Sequence, residues 1–180
     1  MDPSFAPLAS ALAAYAHHHP DEADVAHFSQ WLATQAQPFH RETLAGHFTG
    51  SAWLVSADGQ RVLLMHHRKL QRWLQPGGHA DGEANLAGVA LREAEEETGL
   101  TDLEVLPHLF DIDRHVIPAR GAEPAHWHFD ARYVVVARGS EDFAANEESL
   151  GLAWRQVADI ATDEASDESL RRMARKWLAR

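Results

Sequence analysis

The clearest periodic signal in this chain lies at residues 85–98. The run holds no proline, is rich in alanine and leucine, and stops at Gly99, where a left-handed cap falls. At about 100° per residue, Ala87, Ala90, Leu91 and Ala94 share one broad face. Glu93, Glu96 and Glu97 share the neighbouring face, with Arg92 at its border. Helical spacing also marks the start of the chain. Phe5, Leu8, Ala9, Leu12 and Tyr15 predict a first helix, which Pro20 ends. Asp21 opens a second, with Val25, Phe28, Leu32 and Ala33 near one face and Trp31 beside them. Strand patterns cover residues 47–56 and 61–66, joined by the Asp58-Gly59 turn signal, then 103–109 and 113–117. Residues 126–133 continue into apolar Val134 to Ala137. Period two puts His126, His128, Asp130 and Arg132 on one strand face. An amphipathic helix from about Glu164, with Leu170, Met173, Ala174, Trp177 and Leu178, closes the chain.

The three acids of the 85–98 helix are physically costly where they stand. Like charges three and four residues apart repel. They also occupy the last turns of the helix, where the macrodipole favours cations. A hard divalent cation removes both penalties, because Mg²⁺ and Mn²⁺ take carboxylate oxygens. A solvated acidic face is the alternative, and the helix by itself does not separate the two.

The flanking residues do more. Gln75-Pro76-Gly77-Gly78-His79-Ala80-Asp81-Gly82 precedes the helix, and paired glycines let a backbone turn tightly and approach a ligand closely. This glycine loop, the acidic helix and the closing Gly99-Leu100 together resemble the signature of the Nudix hydrolases. That box reads Gly, five residues, Glu, seven residues, then Arg-Glu-apolar-any-Glu-Glu-any-Gly-apolar. Gly78 matches the first position, and Arg92 to Leu100 match the last nine. One position departs: the first glutamate of the box falls on Ala84, with Glu83 one residue early.

The resemblance implies an α/β fold, a Nudix-type α/β/α sandwich with a mixed sheet. A helical N-terminal extension at residues 1–45 would precede the domain proper at 46–180. It implies hydrolysis of a diphosphate linkage in a nucleoside diphosphate bonded to another group, with Mg²⁺ or Mn²⁺ as cofactor. The implied metal ligands are Glu93, Glu96, Glu97 and the carbonyl of Gly77. The implied catalytic set is Arg92, Glu93 and Glu97, Glu93 orienting or deprotonating water and Arg92 orienting carboxylates. In the family this arginine pairs with the first box glutamate, so Glu83 is expected to take that part here. A nucleotide-binding sensor with little turnover is the competing reading, and Ala84 is the residue that favours it.

Further candidates surround the box. Arg68, Lys69 and Arg72 lie in the basic, aromatic stretch leading into the glycine loop, and could offset phosphate charge or be ordinary surface residues. Lys69, Gly78, His79, His128 and Glu148 are the expected substrate contacts. Glu147 and Glu148 stand where some family members supply a further metal contact or the general base. His126, His128, Asp130 and Arg132 read as a polar wall over substrate or metals, in preference to a dedicated zinc or iron site. His17-His18-His19 reads as an exposed turn.

Composition narrows the classes. The chain has 180 residues, 45% of them apolar, enough for one domain with a full core. It has no cysteine, which excludes disulfides, cysteine-held zinc and a cysteine nucleophile. No secretory signal pattern or spanning apolar run is present, so a cytoplasmic location is expected. A net charge of −11 argues against nucleic-acid polymers as partners and makes a polyanionic substrate awkward without metal ions. A small nucleotide-type molecule is the expected partner. The N-terminal helices are open to three roles: packing on the sheet, shaping the substrate pocket, or a homodimer contact.

Overall fold

A computed structural model describes residues 2–144 and 149–180. Seven strands build one mixed sheet. They are β1 Gly46–Val55, β2 Arg61–His67, β3 Arg72–Leu74, β4 Gly77–His79, β5 Leu103–Ile117, β6 His126–Ala137 and β7 Ser149–Gln156. The path runs β3-β2-β1-β6-β5, with β4 also paired to β1 and β7 to β2. Strands β1 and β6 pair in parallel from Gly46↔Trp127 to Val55↔Val136. The other pairings of named strands are antiparallel. All ten residues of β1 are buried, as expected for a central strand with layers on both faces.

Helices cover both faces: α1 Ala6–His18, α2 Asp24–Thr34, α3 Leu86–Thr98, α4 Val157–Thr162 and α5 Glu168–Leu178. Alternation along the strands sorts side chains between two cores. Phe48, Ala52 and Leu54 of β1 and Phe129, Ala131, Tyr133 and Val135 of β6 join α1, α2 and α3 in the larger cluster. Trp53 and Val55, with Val134 and Val136, join α4 and α5 in the other. The N-terminal helices thus pack on the sheet, on the α3 side, and share its core. Among the described residues no helix is long and apolar enough to cross a membrane.

Several predicted boundaries move. The second helix begins at Asp24, without a side-chain cap, so Asp21 lies in the preceding turn. The two strands predicted at 103–109 and 113–117 are one strand, β5, with irregular register between Val105 and Leu109 and between Leu109 and Asp111. Pro107, which has no N–H for the ladder, sits inside the first irregularity, a position that tolerates it. The last helix starts at Glu168, where the Asp167 carboxylate accepts from Ser169 N. The short α4 ahead of it carries no periodic pattern long enough to read.

Candidate functional site

Helix α3 forms as its sequence dictates. The Asn85 side chain caps it by accepting from Gly88 N, and Gly99 ends it at φ 68°. Leu86, Val89, Ala90 and Ala94 are buried against the sheet, and Glu93 and Glu97 lie against the glycine loop. Glu97 is only 5% exposed, and its Oε2 accepts from Gly77 N at 3.1 Å. Glu93 lies against Gly78, where a Cβ would stand 2.5 Å from its carboxyl carbon. A Cβ at Gly77 would meet Ser51 Oγ at 2.1 Å. The paired glycines are therefore required by close approach, from the sheet at Gly77 and from the helix at Gly78. Glu96 points outward, its side chain 64% exposed.

Arg92 Nη2 donates both to His79 O (3.2 Å) and to Glu93 Oε1 (3.0 Å), tying the loop to the helix. Glu83 does not take the expected part. Its carboxylate accepts from Asn85 N at 2.7 Å, and Arg92 bonds His79 O and Glu93 instead. The tighter turn spends the acid on the helix start, and Ala84 packs against the larger core. The segment before β1 braces the loop from outside. Arg41 forms a two-pronged ion pair with Asp81, at 2.6 and 2.5 Å, and Gly82 N donates to Phe39 O at 3.0 Å. The Arg41 hydrogen bonds, above all, hold the Asp81 carboxyl below its ordinary range.

Residues 126, 128, 130 and 132 do share one face, but not as a single wall. The inner pair belongs to a buried charge network. Arg132 Nε donates to Asp130 at 2.8 Å and Nη1 to Asp111 at 3.3 Å. Asp111, 0% exposed, also accepts from Arg172 at 2.7 Å and Lys176 at 2.6 Å. Thr49 and Ser51 donate to the far oxygen of Asp130 at 2.9 and 2.8 Å. Burial works to raise the Asp111 pKa, but Arg132, Arg172 and Lys176 outweigh it and hold the carboxyl below its usual range.

The outer pair, His126 and His128, meets His47 of β1. His47 Nε2 lies 3.1 Å from His128 Nε2, and His126 Nε2 lies 3.3 Å from the same atom. His79 and His115 flank them, with ring centroids 5.1 and 5.5 Å from that of His128. Burial, with His79 and His126 nearby, pushes His47 down to about 4. Burial, with His47 and His79, pushes His128 down to about 2. The sequence pattern marks His47 only as a strand residue. The signal that pairs it with His128, a parallel register between strands eighty residues apart, is not local.

The remaining candidates scatter. Lys69 is exposed in the β2–β3 turn, its N–H bonded to His67 Nδ1 at 3.1 Å. Arg68 Nη2 donates to Ser149 O at 3.1 Å. Arg72 is ion-paired with Asp167 at the start of α5, away from the role of balancing phosphate. Glu147 and Glu148 lie outside the described residues.

Comparison with known proteins places the chain among relatives of known fold. A CMP-5'-(N-acetyl-N-hydroxy-3-aminopropyl)phosphonate hydrolase of Streptomyces rubellomurinus is 35% identical over 98 residues, 46% of this chain and 48% of its own. A putative 8-oxo-dGTP diphosphatase 3 of Mycobacterium tuberculosis is 31% identical over 115 residues, 57% of this chain and 49% of its own. The chain thus spans about half the length of the curated relatives it matches. Among solved structures, an Ap4A hydrolase of C. elegans superposes with a TM-score of 0.57 at 18% identity, covering 73% of this chain and 95% of that one. The Nudix hydrolase RenU of M. smegmatis does so with a TM-score of 0.54 at 22% identity, over 74% and 87%. The NUDIX domain model matches residues 47–177, from the second residue of β1 to the penultimate residue of α5, so this chain belongs to the Nudix family.

Proposed function

We propose that this chain is a metal-dependent pyrophosphohydrolase that cleaves a diphosphate linkage in a nucleoside diphosphate bonded to another moiety. The observation that carries the reading is the seating of two carboxylates on the glycine pair, Glu97 on Gly77 N and Glu93 against Gly78. The relatives named as a diphosphatase and a CMP-linked phosphonate hydrolase support the substrate class. An all-oxygen donor set of Glu93, Glu96, Glu97 and the Gly77 carbonyl suits Mg²⁺ or Mn²⁺. When bound, such an ion supplies charge neutralisation on the phosphates and a more acidic water.

The chain's own residues do the rest. Water attacks one phosphorus, the bridging phosphorus–oxygen bond breaks, and Glu93 orients the water and takes its proton. Arg92 holds the Glu93 carboxylate through Oε1 and holds the loop through His79 O. Glu97 fixes the Gly77 backbone, and the Gly78 backbone leaves room for Glu93. His79 is a substrate contact from the loop. Lys69 and Glu148 keep their expected substrate roles only as part of this proposal, in a cytoplasmic protein acting on small molecules.

The test is a panel of nucleoside diphosphate conjugates and nucleoside triphosphates with Mg²⁺ and with Mn²⁺. Cleavage of one class is expected, with kcat falling about 10²-fold or more in Glu93→Gln, the scale of a general acid–base group, and an unchanged melting curve. Near-normal turnover of that variant would remove Glu93 from the role. The second reading, a nucleotide sensor, rests on Arg92 lacking a carboxylate partner from positions 83 and 84. Tight nucleotide binding with no turnover across the panel would favour it.

A further inference from the structure

Among the described residues, one group of three potential metal ligands has its ligand atoms all within 4.8 Å of one another: His47, His126 and His128. We propose that these three histidines form a transition-metal site of the zinc(II) class, on the sheet face opposite α3. This site is separate from the carboxylate site and does not depend on it.

Four observations carry the assignment. The first is distance. Donors around a tetrahedral zinc with Zn–N of about 2.0–2.1 Å stand about 3.3–3.4 Å apart, and the two Nε2 separations here are 3.1 and 3.3 Å. The second is tautomer. His126 Nδ1 lies 3.0 Å from Pro124 O, an acceptor only, so Nδ1 carries the proton and the Nε2 lone pair turns inward. The buried His47 Nδ1 makes no well-formed hydrogen bond. The third is the poverty of the metal-free alternative. Two Nε2 atoms crowd His128 Nε2, and a neutral ring has one proton or one lone pair there. A single shared N–H is the best these rings achieve unaided, whereas a cation satisfies converging lone pairs together. The fourth is support. His47 and His128 are register partners on paired central strands, and His126 is two residues along the same strand. The cluster is held on sheet backbone, and the His47 side of it is 1% exposed.

The donor set names the metal class. Imidazole nitrogen suits zinc, copper, iron and nickel, while Mg²⁺ takes oxygen. Three protein ligands leave a fourth position for water or an oxygen anion. Glu123 Oε1 lies 3.8 Å from His126 Nε2, at the edge of the group.

The experiment is metal titration of chelator-treated, full-length protein. Co²⁺ is expected to give the visible bands of a tetrahedral nitrogen site, displaced one for one by Zn²⁺ and not by excess Mg²⁺. Zn²⁺ is expected to raise the melting temperature of the wild type and of a Glu93→Gln, Glu97→Gln double variant alike. In His47→Gln and in His126→Gln the affinity should fall about 100-fold or more. X-ray absorption of the zinc-loaded wild type should show imidazole scattering, and this needs no variant to fold. Zinc binding lost in the glutamate variant and retained in the histidine variants would overturn the proposal, as would carboxylate-only scattering or no binding below millimolar Zn²⁺. Loss of nucleotide hydrolysis in the glutamate variant bears on the carboxylate site alone, so the two readings fail separately.

Discussion

At the scale of single residues, the departure from the family box resolves into a change of partners. Glu83 stands one residue early and binds Asn85 N, while Arg92 takes the His79 carbonyl and the Glu93 carboxylate instead. The arginine still links loop to helix, through a backbone oxygen in place of a distant acid. Glu83→Gln should therefore leave kcat unchanged and alter stability by less than about 0.5 kcal/mol, as is usual for exposed positions. A parallel measurement of turnover and urea unfolding checks both. A fall in kcat without a stability change would show that Glu83 reaches Arg92 during turnover.

At the scale of elements, α3 is the piece whose placement matters most for the carboxylates. Its N-terminus is fixed by Asn85 and its C-terminus by Gly99 in the left-handed region. Asn85→Ala removes the cap and should cost about 1 kcal/mol of stability, read as a lower urea midpoint with an unchanged slope. The glutamates lie near the far end of the helix, so the carboxylate site should keep its activity. Strand β6 shows the opposite economy. One face of one strand carries two chemistries, clustered histidines at its start and buried charges four residues on, because its neighbours differ along its length. His47 faces the first, Asp111 and Arg172 the second.

At the scale of the whole molecule, the charge network joins β5, β6, α5 and α1. Lys176 bonds Asp111 at 2.6 Å and the Tyr15 hydroxyl at 2.7 Å, so the first and last helices meet over one carboxylate. Asp111→Asn leaves Arg132, Arg172 and Lys176 short of their shared anion and should destabilise the fold by about 3–5 kcal/mol, as breaking buried pairs does. The pH dependence has a definite sign. The folded Asp111 and Asp113 carboxyls lie below the ordinary value of 3.8, so the unfolded chain binds more protons below that pH. Their contribution is complete above about pH 5 and is lost as pH falls through the folded values. Thermal melts from pH 6 to pH 2 should show a steep drop below about pH 4, and Asp111→Asn should flatten it.

Much of this protein was legible along the chain. The α3 helix, its Gly99 stop, the loop and most strands follow from local period, turn chemistry and capping, which act over a few residues. The family box was readable for the same reason, since its residues lie on one loop and one helix. Tertiary structure decided what depends on contacts between distant segments. Burial against strands eighty residues away turned His47 into a partner of His128 and withdrew Asp130 and Arg132 into a charge network. Packing against the sheet merged two predicted strands into β5, with irregular register around Pro107, and drew Arg72 to Asp167. The one-residue displacement of Glu83 was plain in the sequence. Its consequence required the tertiary structure, because the Glu83 carboxylate is taken by the N–H of Asn85 at the helix start.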